Sequence, residues 1–414
     1  MSLPAQIAVS FDFNSGATFG YPFTVGDAKY GIIGVSQFAA SDVPNPVVDL
    51  TPNVIRITTE RGRNVQTDTY INGTAVVRVL DTDGTWNPQN TSSPYYGYLV
   101  PLRKLRISAT VGTSSHWLFS GYTTEYRYTY PVGQELGYVD IYCSDAFRLF
   151  NMAQVTTVAD AGTTQSTGTR MAKVLDQIGF PSNMRTLDTG NSNCQADPAT
   201  LRTSLSALKN VEYSEQGAFY IQGDGTARFI DRHSVQSSIA NTPIVFNQTG
   251  DIPYSNLVFA YNDQLIINQA SMTRVGGTAQ LYENATSVAR YFPHSISQEN
   301  LVIDTDANAA NIAATVVATR AETTIRIDAM TVDLLDPAVP TETMLGIDYF
   351  DVLQISNIQP DASVITKTLQ CQGLAWEITP NIMRVTITTL EPICDGLIVG
   401  SSERGIIGIS AMTY

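Results

Sequence analysis

Apolar and polar residues alternate through much of the first 150 positions. Leu105, Ile107, Ala109 and Val111 alternate with Arg106, Ser108 and Thr110, the period of a strand with one buried face. Tyr122, Thr124, Tyr126, Tyr128 and Tyr130 alternate with Thr123, Glu125, Arg127 and Thr129 in the same way. Residues 74–80 form a further strand, followed by a wide polar loop carrying Trp86, Pro88, Tyr95, Tyr96 and Tyr98. Together with 54–59 and 137–145, these segments predict one closed or strongly curved antiparallel sheet ending at 146–150. Residues 60–64 read as a turn-rich corner, and 1–50 as irregular loops with one or two strands.

The period then changes. Residues 155–168 are rich in Thr, Gly and Ser and read as a linker. At 169–179 a helical face of Met171, Val174, Leu175 and Ile178 ends on Gly179, with Pro181 beyond. A second helix is expected from Asp197 and Pro198, carrying Leu201, Leu205 and Leu208 inward. Residues 217–231 read as a hairpin turning at Gly223, Asp224 and Gly225.

Strand patterns return at 244–246, 257–261 and 265–270. A helix at 305–320 interrupts them, with Ile312, Ala313, Val316 and Val317 on one face. Strands resume at 325–328, 352–355, 366–372 and 383–390. The organisation expected is mainly β with α/β inserts. It comprises a β-barrel domain at 1–154, a small α/β domain at 155–242, and a second, discontinuous β-barrel at 243–280 and 323–392. An α/β insert at 281–322 and a Gly-rich C-terminal tail at 393–414 complete it.

Composition narrows the function classes. Across 414 residues, 15% are charged and 43% apolar, which suits a folded, β-rich chain. The 38 acidic and 24 basic side chains leave a formal charge of −14, opposite to what a phosphate-binding surface needs. Cys143, Cys194, Cys371 and Cys394 are too few and too scattered for a disulfide framework, and read as small buried side chains. No stretch reaches the roughly 18 apolar residues of a membrane span, and no leader pattern opens the chain, so synthesis and folding in a cytoplasm are expected.

Candidate chemistry is sparse. His116, His233 and His294 are far apart, without neighbouring ligands at metal spacing, and no phosphate-loop, nucleophile-elbow or zinc-protease motif occurs. Asp81 and Asp83 resemble the start of a calcium loop, but Ser92 stands where the bidentate Glu belongs. Asp304 and Asp306 sit at a helix start, where carboxylates cap exposed N–H groups. Asp348 and Asp351 flank a turn, and with the aromatic loop around Trp86 they supply the alternative of a carbohydrate-binding or carbohydrate-active β-protein. No catalytic, metal-binding or cofactor-binding residue is expected.

Several runs carry a family resemblance. Residues 73–96, followed by 99–107 and 118–122, resemble the minor tail (tail hub) proteins of long-tailed bacteriophages. Further landmarks follow in matching order: Arg61-Gly-Arg63 before them, then 205–231, 252–257 with Asn268, 351–353, 373–378 and 384–392. The likeness covers about 50–392. It implies a baseplate-hub-like fold of two antiparallel β-barrel domains plus two small α/β domains, assembled as a homotrimer at the distal tail tip. It further implies contacts with a distal tail protein or tail tube ring, the tape-measure protein, and other tail-tip or receptor-binding proteins, with DNA passing unbound. Candidate structural or interaction residues are Trp86, Pro88, Tyr95, Tyr96, Gly121 and Trp376. The family's longer members extend well beyond 414 residues, so any wall-degrading or fibre function is expected in another protein.

Overall fold

A computed structural model describes residues 3–13, 19, 31, 33, 47–64, 69–131, 136–248, 250–323 and 325–391. Cys394 and the tail at 393–414 lie outside them, as does most of 1–46. The expected strands at the start of the chain are Gln6–Asp12 and Val47–Asp49.

One large sheet organises the molecule. Its path runs Ser255–Ala260, Arg326–Asp333, Ile382–Leu390, Val364–Thr379, Val54–Asn64, Thr74–Leu80, Tyr138–Ser144, Ser114–Thr129, Lys104–Val111, Gln6–Asp12 and Val47–Asp49. Every pairing along that path is antiparallel. Val352–Ile358 branches from Val364–Thr379, and Ile244–Phe246 adds to it in parallel. The two β-regions are therefore hydrogen-bonded to each other, through a seam between Val54–Asn64 and Val364–Thr379 that sets Thr59 opposite Trp376 and Gly62 opposite Gly373. At this crossing a Cβ on Gly62 would lie 3.3 Å from the Gly373 Cα, so the facing glycines let the backbones approach.

Several sequence expectations are corrected here. The strand at 54–59 does not stop at a corner. It runs on through Asn64, because Glu60 to Gly62 pair with Ala375 to Gly373 and Arg63 and Asn64 pair with Thr69–Tyr70. The tyrosine alternation at 122–130 is broken by a register shift between Thr123 and Glu125. Residues 155–168 are not a linker: Val155, Val158 and Ala161 are buried, and Ser166 caps the helix Thr167–Gln177 by accepting from the Thr169 N–H. The next helix is Ser204–Glu215, capped by Thr203, and Leu201 is 67% exposed. Asp197 does not cap a helix. Its side chain is buried against Arg170 and Arg202 and accepts the Val158 N–H at 3.1 Å. The hairpin of Ala218–Ile221 and Ala227–Ile230 forms as expected.

Residues 265–268 are not strand. The strand there is Gln269–Arg274, between Gln280–Glu283 and Ser295–Leu301. The helix Asp306–Arg320, capped by Thr305, lies over Gln269–Arg274 and Gln280–Glu283. Their shared core starts at Ile267, well before position 281, and includes Met272, Leu301, Ile312 and Val317.

Candidate functional site

A cluster of charged and aromatic side chains forms the joint where the seam meets the small α/β unit. Arg61 and Arg63 on the seam strand point into a ring of Tyr70, Tyr220, Tyr349 and Phe350. The Arg61 guanidinium lies 5.3 Å from the Tyr349 ring centre, and that of Arg63 5.7 Å from the Tyr70 ring centre. Arg61 also donates to the Ile221 carbonyl and to Asp348 Oδ1, each at 3.5 Å. Gln372 Oε1 accepts from Tyr70 at 2.9 Å and from Arg63 at 3.2 Å. Ring pairs Tyr220–Tyr349 at 4.7 Å and Tyr70–Tyr349 at 5.0 Å close the cluster. Burial pushes the hydroxyls of Tyr70, Tyr220 and Tyr349 well above their ordinary range, so they stay neutral.

A buried ion pair lies in the same helix–sheet junction. Lys209 Nζ is 2.7 Å from Glu212 Oε2 and 4.8 Å from the centre of the Phe147 ring, while Glu212 Oε1 accepts the Phe219 N–H at 2.8 Å. Asp145 accepts the N–H groups of Gly73 at 2.6 Å and Phe147 at 2.9 Å. Burial pushes the Asp145 carboxyl up to about 7 despite those donors. Each charge is held by fixed partners, so any relative movement of the parts would leave a buried charge uncompensated. Such a loss costs about 3–5 kcal/mol. The arrangement resists deformation.

The opposite, solvent-facing side of the sheet carries a row of charges across the seam. Asp333, Arg384, Glu377, Arg56, Arg78, Asp140 and Arg127 lie on neighbouring strands. Arg384 and Arg56 bind opposite oxygens of Glu377, at 2.8 and 3.0 Å, and Arg78 holds Asp140 with two bonds of 2.7 and 2.8 Å. Beside this row a polar hollow of about 540 Å³ is lined by Thr58, Glu60, Thr331 and Thr386.

The candidates from the sequence fall in different places. Trp86 is 4% exposed, packed edge-on to Phe11 at 5.5 Å and near Tyr95 at 5.3 Å, with its N–H backbone held by Asp81. Tyr95 stacks on Phe13 at 4.6 Å. The aromatic loop is thus anchored into the core, leaving Pro88 and Tyr96 exposed at its surface. Gly121 sits where a Cβ would meet the Ser144 carbonyl at 2.5 Å and the Phe119 ring at 2.6 Å. Trp376 is buried in the second β-region. Asp348 and Asp351 belong to the joint: Asp348 faces Arg61, and Asp351 Oδ2 accepts the Asp348 N–H at 2.9 Å. Among the described residues no hydrogen bond or ring contact connects this pair to Trp86. Asp306 accepts from Arg274 at 2.6 Å while starting its helix.

Sequence reasoning missed the joint's charges, Lys209, Glu212 and Asp145. The available signal was Arg61-Gly-Arg63 inside a strand and Lys209 beside Leu208 on a helix facing the core. Cys143, Cys194 and Cys371 are buried free thiols. Among the described residues no group of three or more His, Cys, Asp or Glu could hold a metal ion, and no helix is long and apolar enough to cross a membrane.

No protein-family model matches the chain, and no curated protein sequence matches it. Solved structures do match. A tail protein from Neisseria meningitidis MC58 superposes with a TM-score of 0.52 at 10% identity, over 82% of this chain and 92% of that one. The 43 kDa tail protein of prophage MuSo2 from Shewanella oneidensis gives 0.50 at 9% identity, over 84% of this chain and 95% of that one. The chain has a phage tail-protein fold.

Proposed function

We propose that the protein is a structural component of a phage-type tail, a hub at its distal tip, and not an enzyme. The observation that carries the reading is the fold likeness to two tail proteins over most of both chains. The joint supports it, since a tail component transmits force and needs parts that do not shift. In the full reading each chain supplies two barrel-like β-lobes, and three chains form a ring of six lobes. That ring seats a three-fold tip on a six-fold tube. It contacts a distal tail protein or tube ring and further tip or receptor-binding proteins, and lines the channel for tape-measure protein and DNA. A chain with formal charge −14 suits such a channel, because repulsion within the ~8 Å screening length keeps DNA from adhering. The glycan alternative loses Trp86 as a stacking ring, because that side chain is buried.

Class averages of the purified protein and of native particles, viewed down the symmetry axis by electron microscopy, test this. A three-fold ring with six lobes is expected. A monodisperse monomer that never enters a tail would overturn it.

A further inference from the structure

We propose that a polar cleft between the small α/β unit, the helix Asp306–Arg320 and the second β-region binds an extended, acidic polypeptide segment. The cleft holds about 520 Å³, within the range of sites that enclose a ligand. It lies away from the aromatic loop and does not depend on the tail reading.

Its lining selects the ligand class. Asn191, Asn193 and Asn311 line the cleft and, among the described residues, make no side-chain hydrogen bond. Each carboxamide offers two donors and an acceptor, the complement of a peptide unit with its one N–H and one carbonyl. The charges are unequal. Glu212 is neutralised by Lys209 and Glu391 by Lys367, each at 2.7 Å. Arg232 instead donates to Ser192 Oγ at 3.1 Å and has no carboxylate partner among the described residues. In a chain with 38 acidic and 24 basic side chains, an arginine left without an acid on a cleft wall is the group to which a ligand carboxylate would bind. His233 lines the cleft beside it.

A glycan fits less well. The ring of Phe350 is buried in the joint, and Tyr213 packs against the insert's core, so neither offers an open stacking face. An extended peptide needs no such platform.

The test uses the full chain and two fluorescein-labelled octapeptide pools, read by fluorescence anisotropy. One pool has two aspartates at its centre and the other two asparagines, with mixed Gly, Ser and Ala elsewhere. The aspartate pool is expected to bind about tenfold more tightly, the worth of one charge-assisted bond. Arg232→Gln should abolish that difference. Ala314→Trp, which fills the cleft from its helical wall, should remove binding of both pools. Thermal melts of both variants should match the parent. Binding of neither pool, or binding unaffected by both substitutions, overturns the proposal, as does specific binding of chitohexaose in place of the peptides. Absence of the protein from tails would count against the tail assignment and leave this cleft standing.

Discussion

The two small α/β units are built from the same parts, helices over a short sheet, yet they are joined to the molecule differently. In the first, Met171, Leu175, Leu208 and Phe219 belong to the same continuous core as the large sheet. In the second, Ile267, Met272, Leu301, Ile312 and Val317 close a separate core. Hydrogen bonds tie the second unit to the first, beside the apolar contact of Tyr213 with the second core: Val302 N donates to Ser214 Oγ at 2.9 Å, Gln195 N to the Val302 carbonyl at 2.8 Å, and Arg274 to Gln195 Oε1 at 3.0 Å. Shared apolar burial makes two parts unfold together, whereas a hydrogen-bonded border contributes only about 0.5–1.5 kcal/mol per bond. The first unit is thus part of the frame. The second, with its own core, is expected to open before the frame does.

The sharpest way to break this contrast is Phe219→Ala. Its ring stacks on Phe147 at 5.5 Å in the shared core, so the loss should be about 3–5 kcal/mol and fall on the whole chain. Chemical denaturation should show one transition moved to lower denaturant. Separate transitions for the first unit and the sheet would contradict a common core.

Asp145 sharpens the comparison by pH. Its carboxyl stands at about 7 in the folded chain against an ordinary 3.8, so the folded state keeps the proton longer. The associated stability is fully present below about pH 4 and is lost as pH rises through about 7, an effect on the order of a few kcal/mol. Asp145→Asn should flatten that decline in melts between pH 4 and 8. An unchanged slope would mean the group is not buried as described.

Met272→Ala should cost about 2–5 kcal/mol, but locally. Hydrogen exchange should quicken across 267–320 while 204–230 stays protected. Equal loss in both stretches would erase the distinction between frame and module.

Gly121→Ala drives a Cβ into the Ser144 carbonyl and the Phe119 ring, and should lower global stability by about 1–3 kcal/mol. Removing the Thr305 cap by substitution to Ala is the mildest change. About 1 kcal/mol of stability should disappear from the insert and none from the frame, again by hydrogen exchange.

Local chemistry made much of this fold legible. Thr305 caps its helix, Gly179 takes a φ of +73° just past another, and the hairpin turns at Gly223 to Gly225, because each needs only neighbours in sequence. Period-two alternation located the strands for the same reason. Where Asp197 was expected to start a helix, two arginines brought in from Arg170 and Arg202 claimed its carboxylate, and propensity was overridden. The residues alone thus determined a mainly β chain, the sites of its longer helices and the absence of recognisable catalytic motifs. Tertiary structure decided the seam between Val54–Asn64 and Val364–Thr379, and with it the burial of Arg61, Glu212 and Asp145. Pairing of segments some three hundred positions apart depends on what fills the space between them, and a buried charge depends on partners that no local pattern contains.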